Sequence, residues 1–554
     1  GGVAGGASAA ARLRRLDESA EIIVLERGEF ISFANCGLPY YIGGEITDIN
    51  SLTLQTPKSF KLRFNIDVRV LNEVTEIDPK SNIITVKDLS NDTTYLESYD
   101  KLILSPGANP VMPPISGINS DKVFTLRNIP DMVNIKNYID KSNKKTAIVV
   151  GGGYIGVEMA ENLKNAGLDV TIVELADHLI ASLDLDMAAD LHNHLEKRGI
   201  GVILNNAVTS VSDNGKSLNV ILQHGEAEAD MLIMAVGVRP ESSLAKSCGI
   251  HLNQRGAIIT DKNMKTNIHD IYAVGDAAEI ENFITKQPGM IPLAGPANKQ
   301  GRIAADNICE IHSEYSGTQG SAVLKIFDMT VATTGLNERS ANDAGIIYDK
   351  TYIYSASHAV YYPGAQNMSI KVIWEKGTGK LLGAQIVGYG GVDKRMDVIA
   401  TAIRFNAGVS ELAELELCYA PPFGSAKDPV NMVGFVAENV ISGKLNQFFW
   451  HDVENLPRDG SVTLLDVRTT TEVSRGQIDG FRHIPLDALR GRIDEIPKNK
   501  PVYIHCHSGL RSYIACRMLS GYGYECYNLA GGYRLYEAVL KQKKVADYIC
   551  TECK

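Results

Sequence analysis

No run of about 18 uncharged apolar residues occurs in the 554 residues, so the sequence offers no membrane-spanning helix. Cysteine is scarce. Nine thiols, scattered rather than evenly spaced, exclude a disulfide-stapled secreted scaffold and favour a reducing, cytoplasmic setting. Positive charge is not in excess either: 55 basic against 65 acidic side chains give a net charge of −10, the wrong sign for a chain that grips nucleic acid over its whole surface. With 44% apolar and 22% charged residues the chain is not a disordered scaffold, and its length allows about three to four domains. It opens without methionine at Gly1-Gly2-Val3-Ala4-Gly5-Gly6, inside a pattern that expects a strand before it; a removed targeting segment would give the same opening.

What is present is glycine in turns. From Gly1 the sequence reads as a glycine turn, a helix of small residues and a short strand ending at Glu26-Arg27. A second copy is complete: the strand Ala147-Ile148-Val149-Val150, then Gly151-Gly152-Gly153-Tyr154-Ile155-Gly156, a helix to about Asn165, and a strand from Val170 to Glu174. Gly151, Gly153 and Gly156 suit a tight turn, close approach of a pyrophosphate to backbone N–H groups, and close helix packing. In the first copy Val3 stands at the middle glycine position, with Gly1, Ala4, Gly5 and Gly6 around it. Glu26 and Glu174 end the second strand of each copy, where a carboxylate accepts from ribose hydroxyls and repels a 2′-phosphate. Two dinucleotides are therefore expected, and NADH rather than NADPH at the second site.

The stretch Thr266-Asn267-Ile268-His269-Asp270-Ile271-Tyr272-Ala273-Val274-Gly275-Asp276 resembles the flavin-binding motif of the pyridine nucleotide-disulfide oxidoreductases. Leu102-Ile103-Leu104-Ser105-Pro106-Gly107 and Val236-Gly237-Val238-Arg239-Pro240 are similar to that family's domain-connecting strands. The resemblance implies an α/β fold with two Rossmann-like domains, one for FAD (1–112 and 244–318) and one for NADH (113–243), then an α+β dimerisation domain (319–446). It also implies that Asp276, Gly275, Ser105 and Gly107 serve FAD and that Gly237 serves NADH.

Many members of that family carry C-x4-C. Here Ser32-Phe33-Ala34-Asn35-Cys36-Gly37-Leu38-Pro39-Tyr40-Tyr41 puts Tyr41 where the second cysteine would stand, so no internal disulfide forms there. A lone thiolate can instead cycle through a mixed disulfide, a persulfide or a sulfenic acid. The string resembles the coenzyme A-disulfide reductases. That resemblance implies a homodimer in which Tyr361 and Tyr419 of one subunit serve the Cys36 of the other, and in which Arg15, Ser32, Asn35 and Lys427 bind coenzyme A. Tyr362, beside Tyr361, is an open alternative. Arg12 and Arg14 read as solvated helix cations.

After about residue 447 a further α/β segment carries Cys506-His507-Ser508-Gly509-Leu510-Arg511 between a strand and a helix, which makes a cradle of inward N–H groups for a thiolate or its persulfide. This loop, together with Asp466-Val467-Arg468 and Glu472, resembles the rhodanese-like sulfurtransferases over 447–554, with Cys506 and Arg511 as active residues. Cys550 and Cys553 form C-x2-C, half of a zinc site, and no metal is expected. Together the resemblances imply NADH-driven reduction of coenzyme A persulfide, polysulfide or coenzyme A disulfide, coupled to sulfur transfer, with coenzyme A as cofactor or substrate and small sulfur compounds as partners. An NADH oxidase or peroxidase that cycles Cys36 through sulfenic acid, and a redox-sensing sulfur carrier without turnover, stay open at this point. Neither nucleic acid nor a membrane is an expected partner.

Overall fold

The computed structural model describes residues 1–141 and 145–552, with side chains as far as Gln542; Cys553 and the Cys550 side chain lie outside this range. Two compact units share the chain: residues 1–175 with 206–320, and residues 176–205 with 321–554.

In the first unit the opening glycine turn leads into helix α1 (Ala4–Leu16). Small residues let α1 meet the helix Ala294–Ile308 at backbone distance: a Cβ on Gly301 would stand 2.3 Å from Gly5 O. The strand Ile23–Glu26 pairs in parallel with Asp67–Val70, and Leu102–Leu104 pairs in parallel with Ile271–Ala273. Helix α2 (Leu38–Gly43) follows Cys36, and helix α3 (Ile129–Lys141) packs near it. Around the second glycine turn, Thr146–Val150 lies between Asp169–Val173 and Met231–Met234, all parallel, with Val123–Phe124 beyond the latter. Its run of buried apolar residues is what a strand covered on both faces requires. Helix α4 (Tyr154–Asn165) leaves that strand directly. Ala108–Pro110, which follows the first segment that resembled a connecting strand, pairs antiparallel with Val238–Pro240, which lies in the second.

The second unit begins with helix α5 (Leu185–Lys197). Its antiparallel sheet has five strands, in the order Ala322–Ile326, Met329–Gly335, Leu381–Gly388, Asn367–Glu375, Tyr348–Ala356. Helix α6 (Val392–Arg404) packs on it. A parallel sheet follows, ordered Asn446–Phe448, Cys526–Leu529, Val502–His505, Thr463–Asp466, Arg482–His483, with Leu465, Ile484, Ile504 and Leu519 fully buried around it. Helices α7 (Leu510–Gly521) and α8 (Gly532–Glu552) complete this part.

A buried ion network joins α5 to the antiparallel sheet of the second unit and to the 3₁₀ turn Trp450–Asn455. The Lys371 side chain is 0% exposed, and its ammonium lies 2.7 Å from Asp184, 2.9 Å from Asp186 and against Glu338. Such an ammonium is tolerable only because carboxylates surround it. The Trp450 indole N–H donates to Asp186 Oδ2 at 3.2 Å, and Lys350 pairs with Glu338 at 2.6 Å. The three carboxylates are close enough to hold a metal ion, but the Lys371 ammonium already sits among them.

Candidate active sites

The first glycine turn is as tight as its sequence suggests. A Cβ on Gly6 would lie 2.0 Å from Gly1 O, and one on Gly1 would lie 2.5 Å from Ser105 O. Val3 is tolerated at the middle position because its φ of −105° needs no left-handed backbone and so suits an L residue. Ala4 opens α1. Both Glu26 oxygens accept backbone N–H groups, from Gly2 and Gly28 at 2.9 Å each, so the carboxylate is fixed at the turn with lone pairs to spare. Arg27 turns to Glu73 at 3.4 Å. Ser105 Oγ donates to Gly1 O at 2.9 Å.

The strand Ile271–Ala273 delivers Gly275 and Asp276 to the same turn: Gly275 N lies 3.6 Å from where a Gly5 Cβ would be, and the Gln300 side chain accepts from Gly275 N at 2.7 Å. Burial pushes the Asp276 carboxyl up, and Arg127 opposes that. Arg127, half-buried, donates to Pro106 O at 3.2 Å beside Gly107, whose φ is +75°. No motif pointed to Arg127, because it reaches the site from a separate strand end.

In the second turn Gly151 has φ +107°, and a Cβ on Gly156 would fall 1.9 Å from Gly151 O. Gly153 caps α4 with open space where its Cβ would be, which is the space a pyrophosphate would take. Tyr154 and Ile155 form the first turn of α4, and Ile155 is exposed. Glu174 Oε2 accepts from Gly152 N at 2.5 Å. Gly237 has φ +119°. The fixed carboxylates at both turns, and at the second the space kept clear at Gly153, fit one dinucleotide at each turn, with Asp276 and Arg127 beside the first.

Cys36 sits in a short 3₁₀ turn, Asn35–Gly37, with its residue exposed. The loop is pinned to the first glycine turn by Ser32 N–H donating to Gly2 O at 2.7 Å, and Ser32 takes φ +46° to do so. Protein packed around the sulfur pushes the Cys36 thiol up, and the carboxylates Glu158 and Asp276 push it further. Beside the loop is a cleft of about 390 Å³ whose lining includes Arg12, Arg15, Ser32, Gln55, Asn298 and Arg302. Arg12 is paired with Asp306 at 2.7 Å; Arg15 and Arg302 have no ion pair among the described residues. The two cations the sequence treated alike differ here. Arg12 lines the cleft, whereas Arg14 is 5% exposed and donates to the carbonyls of Phe64, Asp17, Glu18, Ala20 and Asn65, so it is a buried clamp rather than a solvated cation. Arg302 and Asn298 were not singled out in the sequence because they lie almost 300 residues from Arg15.

In the second unit Tyr361 and Tyr419 meet hydroxyl to hydroxyl at 2.9 Å, which holds the Tyr361 proton more tightly. Tyr362 faces the His358 ring instead. Tyr361 is 74% exposed, with Val360 at 78% and Phe423 at 71%, an apolar patch of the kind that marks an interaction surface. Beside Tyr419 opens a cavity of about 610 Å³ that also touches Cys418 and Lys394. Lys427 is exposed in the same segment, away from the arginines of the first unit in sequence.

Cys506 is fully buried at the floor of its loop. Its sulfur accepts from Gly509 N–H at 3.1 Å and from Ser512 Oγ at 3.2 Å. Gly509, at φ +99°, turns the chain so that α7 starts at Leu510 and Arg511 falls in its first turn. Arg511 is clamped bidentately by Glu472 at 2.6 and 2.8 Å, which holds the Glu472 carboxyl down at about 2. Gly532 backs the loop: a Cβ there would stand 2.7 Å from the His507 carbonyl.

Comparison with known proteins adds three matches. Residues 1–301 match the pyridine nucleotide-disulphide oxidoreductase family, 321–429 its dimerisation domain, and 450–538 the rhodanese-like domain. A coenzyme A disulfide reductase of Staphylococcus epidermidis is 37% identical over 440 residues, 79% of this chain and 98% of that protein. The reduced CoADR-RHD of Bacillus anthracis superposes with a TM-score of 0.96 at 50% identity, covering 98% of this chain and 97% of the other. A NAD-dependent persulfide reductase from A. fulgidus superposes with a TM-score of 0.91 at 36% identity, over 97% and 99% of the two chains. By these matches and by its two glycine turns, the chain belongs to the pyridine nucleotide-disulphide oxidoreductase family, with that family's dimerisation domain and a rhodanese-like domain after it.

Proposed function

We propose that this protein is an NADH-dependent flavoprotein reductase of coenzyme A persulfide, polysulfide or coenzyme A disulfide, in which Cys36 is the single redox thiol and Cys506 handles sulfane sulfur. The observation that carries the reading is an exposed lone thiol tied by its loop to the first glycine turn, beside a cleft that presents two arginines without an ion pair among the described residues. Arginines of this kind suit the phosphates of coenzyme A. Ser32 and Asn35 flank the thiol and would hold the pantetheine end. When bound, FAD would relay the electron pair of NADH to sulfur.

The Cys36 thiolate attacks a sulfur of the substrate's S–S bond and forms a mixed disulfide: coenzyme A disulfide then expels one coenzyme A thiolate, and coenzyme A persulfide, attacked at its inner sulfur, expels hydrosulfide. An S–S bond is exchanged, with no net oxidation in that step. Tyr361 and Tyr419 of a second subunit supply the departing thiolate with a proton, since a phenol O–H can donate to a thiolate leaving group. Each turnover then consumes one electron pair and two protons and yields two thiols, or a thiol and hydrogen sulfide. The exposed patch around Tyr361 supports a homodimer that shares its site in this way. Glu174 supports NADH over NADPH. In the rhodanese-like part, Cys506 takes sulfur as a persulfide, with Gly509 N–H, Ser512 and Arg511 around the sulfur, and passes it to coenzyme A. The scarcity of cysteine supports a cytoplasmic setting, and no described helix is long and apolar enough to cross a membrane.

Anaerobic NADH oxidation with coenzyme A persulfide and with coenzyme A disulfide tests the reading. Cys36→Ser should lose both activities, while Cys506→Ser should keep them and lose thiosulfate-to-thiol sulfur transfer. Undiminished turnover in Cys36→Ser would refute the mechanism.

A further inference from the structure

The strands Tyr348–Ala356 and Asn367–Glu375 are joined by the loop 357–366, which carries Tyr361 in its middle. At its base Ser357 and Gln366 are bonded twice: Ser357 N–H donates to Gln366 O at 2.9 Å, and Gln366 N–H to Ser357 Oγ at 3.3 Å. Above that base the His358 ring spans the loop, with Nδ1 3.0 Å from Ser357 Oγ and Nε2 3.2 Å from Pro363 O. A carbonyl oxygen only accepts, so Nε2 carries a proton and donates to Pro363, and in the neutral ring Nδ1 accepts from the Ser357 hydroxyl. The Tyr362 ring meets the His358 ring edge to face, with centroids 5.7 Å apart. Among the described residues no other side chain above the base bonds from one arm of this loop to the other.

The segment that bears Tyr419 is anchored from below instead. Arg395 of α6 is fully buried and donates to Phe423 O at 3.3 Å and to the Asp428 carboxylate at 2.9 Å. Ala359 N–H donates to Gly424 O at 3.0 Å and so joins the Tyr361 loop to this anchored segment. Beyond that bond Val360 and Tyr361 are exposed, and the Tyr361 hydroxyl keeps its contact with Tyr419 only if the loop itself is stiff. We propose that His358 is the clasp of this loop and the positioning residue for the phenol pair: its ring fixes the path from Ser357 to Pro363, and with it the place from which the Tyr361 hydroxyl meets that of Tyr419. This deepens the reading of the two tyrosines as proton donors and rests on it. It also gives Tyr362 a place, as the ring that packs on the clasp rather than a further donor.

A phenol gives up its proton only from within hydrogen-bond reach of the departing sulfur, so a loop that wanders by about 1 Å wastes most encounters. All three partners of the His358 ring lie within 357–363, so its removal loosens the loop and breaks no hydrogen bond to the sheet below. Two lost hydrogen bonds lower the share of loops in the competent shape by about five- to 50-fold. The bond across the loop is the one from Nε2. Glutamine places an N–H donor where Nε2 stands, whereas asparagine is too short to reach Pro363. His358 acts through Tyr361 and is therefore a positioning residue, not a catalytic one.

The test follows the two half-reactions of the intact flavoprotein separately by rapid mixing: flavin reduction by NADH, then reoxidation by coenzyme A disulfide. His358→Ala should keep the first at the wild-type rate and slow the second about five- to 50-fold. His358→Gln should recover most of that loss and His358→Asn little of it. In Tyr361→Phe, which leaves no phenol to position, adding His358→Ala should cost about twofold or less. Hydrogen exchange read by mass spectrometry should be faster over 357–366 in His358→Ala and near wild type in His358→Gln. Equal slowing of both half-reactions, a wild-type reoxidation rate in His358→Ala, or full additivity with Tyr361→Phe overturns the proposal. If His358→Ala does not fold, equal reoxidation rates in His358→Asn and His358→Gln overturn it. The functional reading fails separately, if the wild type reduces neither coenzyme A disulfide nor persulfide; the exchange profiles still decide whether His358 clasps the loop.

Discussion

Two alanine substitutions three residues apart in the second glycine turn should fail in different ways. At Gly156 the added Cβ would lie 1.9 Å from Gly151 O, whereas ordinary contact begins at 3.4 Å, so α4 must withdraw by about 1.5 Å. Overpacking of that kind costs about 1–3 kcal/mol, and the withdrawal carries the first N–H groups of α4 away from the dinucleotide. At Gly153 the added Cβ meets nothing in the protein, and the negative φ suits alanine, so stability should not fall. The new methyl stands instead where a pyrophosphate must approach. If it displaces one charge-assisted hydrogen bond, worth about 1.5–3 kcal/mol, the affinity for NADH falls by about ten- to 150-fold. Differential scanning calorimetry and NADH titration of the two purified variants separate the cases. Gly156→Ala should lose both melting temperature and affinity, and Gly153→Ala affinity alone. Wild-type NADH affinity in Gly153→Ala would refute the placement of the pyrophosphate at this turn, and a wild-type melting temperature in Gly156→Ala would refute the packing argument.

Replacing Lys371 by Met leaves Asp184, Asp186 and Glu338 facing one another in the interior, with a loss of about 3–5 kcal/mol that chemical denaturation should register. Burial holds His505 down at about 4, against about 6.5 in an unfolded chain. Its folded pKa is depressed, so the stability it contributes is present above about pH 6.5 and is lost as the pH falls toward 4; the urea midpoint should drop across that window, and less so in His505→Asn. Tyr419→Phe should slow disulfide reduction about ten- to 100-fold, with Tyr361→Phe, Tyr419→Phe slower still, as steady-state rates at fixed NADH will show; equal rates in the double variant and the wild type would remove the phenols from the chemistry.

The second glycine turn was legible because its strand, turn, helix and acid are contiguous, and each constraint falls on a nearby residue. The Cys506 loop was legible for the same reason, since strand, loop and helix N-terminus follow one another. Long-range partners were not. Arg127 and Arg302 carry no local signature, and only tertiary folding sets them beside Asp276 and Arg15. Which of Tyr361 and Tyr362 meets Tyr419 is set by side-chain direction, which spacing does not show. Arg12 and Arg14 lie two apart on α1, and a helix sends such neighbours to different faces, one into the cleft and one onto carbonyls of the following loop and of Phe64 and Asn65.

The placement of α5 bears on how the chain is made. Its residues precede the sheet they join by well over a hundred positions: Asp186 waits for Lys371 and then Trp450, and Asn193 for Lys541. At about 5–20 residues per second, a ribosome needs roughly ten seconds or more between α5 and the strand that neutralises its acids, and longer to reach the helix that covers its far end. Until then α5 carries uncompensated acids and an uncovered apolar face. A fragment cut at residue 320 would keep that exposed helix permanently, so dissection of this protein into halves should retain 176–205 with the C-terminal part or expect aggregation.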